Sequence, residues 1–179
     1  LKIDNENFPV KINVKDPEIC KRYCAVVLKG LNNRVALPEY ITRRLFAMGI
    51  NSVNPIVDIA NYVMLDMGQP LHSYDFSKIS DLELNIEKST SELKVTTLGE
   101  KEENIKAGSI IISDSKRPLC VAGIIGTNFA TVTAETSEIV LESAVFDEVS
   151  VRVTSRSARI STPSSFRFER GINISSTKD

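Results

Sequence analysis

Pro55-Ile56-Val57-Asp58-Ile59-Ala60-Asn61-Tyr62-Val63-Met64-Leu65-Asp66-Met67-Gly68 is the stretch on which the fold turns. It reads as a helix from about Pro55 to Met67. Ile56, Ile59, Ala60, Val63 and Met67 recur at helical spacing as one apolar stripe, and Gly68 ends the run. Asn61 lies beside that stripe, on the row of Val57 and Leu65, where a partly buried amide must find partners. Upstream, Leu37, Ile41, Leu45 and Met48 predict an earlier helix. Pro38 is tolerated in its first turn and Gly49 is a natural stop. Before that, Val10, Ile12 and Val14 alternate with polar residues, and Tyr23 to Leu28 reads as a second strand. Leu1 to Phe8 is polar and expected to fray.

Downstream of Gly68 the pattern changes to strands. Leu82, Leu84 and Ile86 alternate, and Leu93–Leu98, Ile110–Ile112, Leu119–Ile124 and Ile139–Leu141 are short apolar runs between turn signals. Near Val149 two readings stand. Val149, Val151 and Val153 suggest a strand, whereas Asp147 as an N-cap, with Val149 and Val153 four apart, suggests a helix. The sum is an α+β class: one domain over 1–179, two early helices packed on a largely antiparallel or mixed β body.

The 179 residues suit one domain, and the 42% apolar and 25% charged fractions are those of a globular chain. No apolar run approaches the roughly 18 residues that cross a bilayer, so no membrane role is expected. No basic, apolar, small-residue opening is present, so no secretory signal is expected. Repeats and low-complexity tracts are absent. A formal net charge of −1 hides an asymmetry. Arg152, Arg156, Arg159, Arg167 and Arg170 face one acid, Glu169, over that segment, whereas Asp81–Glu103 holds seven acids and three lysines. The Arg-rich end either meets a polyanion or pairs with local acids on a solvated surface.

Cys20, Cys24 and Cys120 are too few for a disulfide framework, and a reducing, intracellular location fits them. A closed zinc site would need all three and the one histidine, so the cysteines read as core and no metal is expected. Nucleophile elbow, P-loop, dinucleotide fingerprint and zinc-protease helix are all missing. A scattered polar set remains. His72 follows Gln69-Pro70-Leu71. Glu142 ends the run Ile139-Val140-Leu141. Spacing leaves Glu142 either an ordinary strand-end glutamate in water or a buried carboxylate that requires a partner or ligand. Gly123 and Gly126 permit a plain turn or the close approach of backbone to a ligand. Ser161-Thr162-Pro163-Ser164-Ser165 is either a helix cap or a polar wall flanked by arginines.

These residues carry a resemblance. Asn54 through Asp75, with Pro55-Ile56-Val57-Asp58-Ile59-Ala60-Asn61 and Gln69-Pro70-Leu71-His72-Ser73-Tyr74-Asp75 at its two ends, resembles the central segment of the editing domain of the bacterial phenylalanine–tRNA ligase beta subunit. Arg117-Pro118-Leu119-Cys120-Val121-Ala122-Gly123-Ile124-Ile125-Gly126, Val140-Leu141-Glu142-Ser143-Ala144-Val145-Phe146, Arg152-Val153-Thr154-Ser155-Arg156 and Ser165-Phe166-Arg167-Phe168-Glu169-Arg170-Gly171 agree in order. The family polypeptide is longer, so the chain resembles an excised domain rather than a free-standing protein acting in trans.

The resemblance implies a cytoplasmic hydrolase within a synthetase. Its partners would be phenylalanine tRNA, the alpha subunit and the rest of the beta subunit, with no DNA and no membrane. The domain would remove tyrosine mischarged on phenylalanine tRNA. It would need no cofactor, since ATP and magnesium belong to the alpha-subunit core. By the same resemblance Glu142 binds the tyrosine hydroxyl. His72 and Asn61 position substrate or water near the ester, Thr162 is a wall of the pocket, and Gly123 and Gly126 let backbone approach the substrate. Arg152, Arg156 and Arg159 would be weak RNA contacts. Two positions depart from the family pattern. Thr127 stands where a second glycine is usual, and its Cβ is expected to narrow the pocket or forbid a positive φ. Ser164 stands where alanine is common and would add an oxygen beside the amino-acid ring. These departures motivate an alternative: a degenerate, non-catalytic, tRNA-contacting structural domain of the same ligase.

Overall fold

The computed structural model describes residues 8–178. The expected frayed start lies outside the described residues except for Phe8, which is half-buried against the core rather than frayed. Ten strands and four α-helices form among the described residues, an α+β architecture as expected. Five strands make one sheet in the order β1 (Lys11–Val14), β4 (Glu83–Lys88), β7 (Ile110–Ser113), β8 (Pro118–Val121) and β9 (Ile125–Gly126). The β1–β4 pair is parallel and the other pairs are antiparallel. A second sheet places β10 (Ile139–Phe146) between β2 (Cys20–Leu28) and β3 (Leu71–Asp75). A ribbon of β5 (Leu93–Thr96) and β6 (Glu102–Ile105) completes the β body. Residues of both main sheets, among them Ile86, Ile112, Tyr74, Val140 and Phe146, share one buried cluster.

Helix α1 (Glu39–Ala47) buries Ile41 and Leu45, while Met48 of the expected stripe is exposed at its C-cap. Helix α2 (Pro55–Met67) has the expected bounds. Asn54 caps it by accepting from the Val57 N–H, and Gly68 leaves it in the left-handed region at φ 78°. Its inward face differs from the expected stripe. Ile59 and Met67 are 45% and 46% exposed, Met64 is 2% exposed, and Val57, Ala60 and Asn61 face a cavity. The helix is apolar almost all round, so periodicity alone did not select which stripe turns inward.

The ambiguity near Val149 resolves as helix α3 (Glu148–Ala158), with the Asp147 carboxylate accepting from the Ser150 N–H at 2.7 Å. Helix α4 (Pro163–Phe168) follows. Strands β3, β6 and β9 have no counterpart in the sequence reading, and β10 runs well past the expected Leu141. Leu82 falls outside β4, in a tight 3-10 turn at φ 47°. Cys20 and Cys120 are buried core residues, as expected; Cys24 is only partly buried. Burial pushes the Cys20 thiol up to about 12. Among the described residues no helix is long and apolar enough to cross a membrane.

Candidate functional site

A cavity of about 410 Å³ opens where α2, the second sheet, the turn between β8 and β9, and the start of α4 converge. Asn61, His72, Gly123, Gly126, Thr127, Glu142, Thr162 and Ser164 all line it. Arg152, Arg156 and Arg159 do not. Arg152 donates to the Glu169 carbonyl at 2.9 Å, and Arg159 is the left-handed C-cap of α3 at φ 57°.

Glu142 lies in the middle of β10 and is 4% exposed, which removes the water-facing alternative. The antiparallel register puts His72 directly opposite it on β3 and Ala25 opposite it on β2. Its Oε2 accepts from the hydroxyls of Tyr23 and Tyr74, each at 2.7 Å. Burial raises this carboxyl to about 7, and the two tyrosine hydrogen bonds pull against that rise. No cation forms an ion pair with it among the described residues. Tyr23 and Tyr74 were missed by the sequence reading. Their signal lies in period-two placement, since Tyr74 follows His72 by two residues and so shares its face of the strand.

His72 is half-buried and meets the Tyr74 ring edge-on at a centroid distance of 4.5 Å. Burial of the imidazole lowers it to about 4, so it is neutral at neutral pH. Gly126 gives this ring its place: a Cβ there would sit 2.8 Å from His72 Cε1. Gly123 takes φ +71°, and a Cβ on it would press on Phe168 and Val151. Asn61 reaches the cavity from α2. Neither Asn61 nor His72 has a side-chain hydrogen bond to protein among the described residues, so the expected partner of Asn61 is not a neighbouring side chain or carbonyl.

Thr162 is both cap and wall. Its hydroxyl accepts from the Ser165 N–H at 3.0 Å and donates to the Ile124 carbonyl at 2.9 Å, tying α4 to the turn that carries Gly123. Thr127 lines the cavity just after β9. It forms an extended bridge with Thr97, has no left-handed backbone, and donates its hydroxyl to the Pro118 and Leu119 carbonyls. Ser164 places its hydroxyl 3.7 Å from Met64 Sδ. Among the described residues no three His, Cys, Asp or Glu side chains gather in a metal-holding group.

The sequence that builds this α+β body, with its cavity between the two main sheets, matches a known family. The B3/4 domain profile covers residues 19–179, and the chain belongs to that family. The relatives it resembles are phenylalanine–tRNA ligase beta subunits. It is 36% identical over 178 residues to that of Carboxydothermus hydrogenoformans, covering 99% of this chain and 22% of the relative. It is 41% identical over 163 residues to that of Aquifex aeolicus, covering 91% of this chain and 21% of the relative. The chain thus spans about a fifth of the length of these relatives. A solved N-terminal fragment of the phenylalanyl-tRNA synthetase beta subunit from Pyrococcus horikoshii has the same fold at TM-score 0.58 and 15% identity. It covers 96% of this chain and 52% of that one.

Proposed function

We propose that this chain is the editing domain of a phenylalanine–tRNA ligase beta subunit and hydrolyses tyrosine mischarged on phenylalanine tRNA. The observation that carries this reading is Glu142: a carboxylate 4% exposed on a cavity wall, with Oε2 occupied and no cation beside it. Tyrosine exceeds phenylalanine by one hydroxyl, so a pocket wide enough for tyrosine cannot refuse the smaller phenylalanine by size. A buried acceptor does so, because phenylalanine leaves it unpaired; such sites discriminate by about 10⁴–10⁵.

The remaining cavity residues divide the work. Neutral His72 and the unpartnered Asn61 amide would orient the ester and a water at the open end, and proximity rather than strong base chemistry fits an imidazole lowered to about 4. Thr162 acts as a wall, its proton already committed to Ile124. Gly123 and Gly126 keep the β8–β9 turn close to the occupant. Positioned water suffices for ester cleavage, so no metal or organic cofactor is assigned to this domain; ATP and magnesium would serve the alpha-subunit core. The working setting is the cytoplasm, with the alpha subunit, the rest of the beta subunit and phenylalanine tRNA as partners. Arg152, Arg156 and Arg159 are proposed weak contacts to that RNA.

The test is ester loss from tyrosine-charged and phenylalanine-charged phenylalanine tRNA in the intact ligase. Selective loss of tyrosine is expected, and Glu142→Ala should remove the selectivity. Equal stability of both esters would overturn editing and leave the tRNA-contacting structural role.

A further inference from the structure

We propose that Tyr23 and Tyr74 set the specificity of this cavity by occupying one oxygen of Glu142 from both flanks, leaving the other oxygen as the acceptor offered to a phenolic occupant. This rests on the reading of the cavity as a tyrosyl-ester site and assigns that selectivity to two positioning residues.

Strand register produces the arrangement. Tyr23 on β2 stands opposite Ala144, and Tyr74 on β3 stands opposite Val140, two positions from Glu142 in opposite directions along β10. Diagonal neighbours at this offset are within reach of long aromatic side chains. Ala25, directly opposite Glu142 on β2, is small and does not block the approach. Both hydroxyls therefore converge on Oε2 at 2.7 Å, while Oε1 has no protein partner among the described residues and is not sealed from the cavity.

This geometry does three things. It fixes the rotation of the carboxylate, so one oxygen faces the occupant. It supplies two donors to a charge that burial opposes and no cation compensates. It also makes the third hydroxyl the missing one: tyrosine completes the set, and phenylalanine strands Oε1 against an aromatic edge. The titratable groups facing Glu142 are Tyr23 and Cys20 on β2, His72 and Tyr74 on β3, and Cys120 on β8. All lie on strands packed against β10 or line the cavity, and none is a fixed cation.

The experiment uses the intact ligase, wild type and with Tyr23→Phe, Tyr74→Phe or Glu142→Gln. Two readouts are taken from about pH 5 to about pH 9: kcat/KM for cleavage of tyrosyl and phenylalanyl esters of phenylalanine tRNA, and affinity for the non-hydrolysable tyrosyl and phenylalanyl 3′-amide analogues. Each Tyr→Phe change should lower the tyrosine preference by about tenfold. It should also move upward the pH at which that preference sets in, since one donor to the ionised carboxylate is gone. Glu142→Gln should lose the pH dependence of the preference. A role in ring packing alone would change neither the ratio nor its pH profile. If Tyr74→Phe, at a fully buried position, does not yield folded protein, Tyr23→Phe at a half-buried one decides. Wild-type selectivity with both Phe variants equally selective overturns the pair alone. Equal wild-type affinity for both analogues overturns the underlying reading and the pair with it. Selective wild-type binding without cleavage, still weakened by Tyr→Phe, overturns hydrolysis and supports the pair.

Discussion

Gly126 has no room for a side chain, and the neighbour that forbids one is His72. An added Cβ would lie 2.8 Å from the imidazole Cε1 and 3.2 Å from Leu98 Cδ1, with no strained backbone angle involved. Gly126→Ala should therefore displace the ring. Misplacement of a positioning group by about 1 Å costs about 10²-fold in rate, whereas overpacking costs about 1–3 kcal/mol of stability. The expected result is a folded protein that cleaves tyrosyl ester about a hundredfold more slowly; an unchanged rate would detach His72 from the reaction. Gly123 differs. Its φ of +71° already disfavours a side chain, and its Cβ would meet Phe168 at 3.0 Å and Val151 at 3.2 Å, both in the core. Gly123→Ala should cost about 1–2 kcal/mol for the backbone alone, with packing strain added, as a lower denaturant midpoint. Both glycines line the cavity, but an added Cβ would press on a cavity side chain at Gly126 and on the core at Gly123.

At the scale of elements, legibility followed punctuation. Helix α2 has the expected bounds because Pro55 and Gly68 mark its ends in the sequence, and the structure adds the Asn54 cap. The Asp147 cap decided α3 where the valines were ambiguous. Strand β3 was not legible: Leu71-His72-Ser73-Tyr74-Asp75 carries polar groups on both faces because one face meets a cavity. Strand β10 looked finished at Leu141 because Glu142 and Ser143 interrupt the apolar run, although Glu142 is buried at its centre. The residues that line the cavity were named from resemblance. Tyr23 and Tyr74 escaped because they lie 119 and 68 residues from Glu142, and only strand register brings them to it. Helix α4 shows how an element serves two purposes. Thr162→Ala removes its N-cap and the tie to Ile124, and should cost about 1 kcal/mol or somewhat more in urea unfolding. Thr162→Ser keeps the hydroxyl and should restore most of it; equal losses in both variants would show that the methyl, not the cap, matters.

Across the whole molecule, Glu142 and His72 face each other in the register of β10 and β3 and are shifted in opposite directions by the same cause. Burial raises Glu142 from its ordinary 4.5 to about 7, so between those values this carboxyl holds more proton in the folded chain than in the unfolded one. Its contribution to stability falls as pH rises through that window. Burial lowers His72 from 6.5 to about 4, so the folded chain binds fewer protons there, and this contribution rises with pH. Each effect is worth about 3 kcal/mol at full extent, and they oppose each other between about pH 4.5 and 6.5. Burial works to raise Asp75, Asp114 and Asp147, but hydrogen bonds to each outweigh it, so their contributions change mainly below their ordinary 3.8. The wild-type chain should therefore show nearly flat stability from about pH 5 to 6.5, measured by urea unfolding at fixed salt. Glu142→Gln leaves the histidine uncompensated, and stability should climb by up to about 3 kcal/mol from about pH 4 to 6.5. His72→Gln leaves the carboxylate uncompensated, and stability should drop by a similar amount from about pH 4.5 to 7. Parallel curves for all three proteins would mean that the cavity hydrates both groups enough to erase their shifts, and that the buried charge invoked for tyrosine recognition is solvated instead.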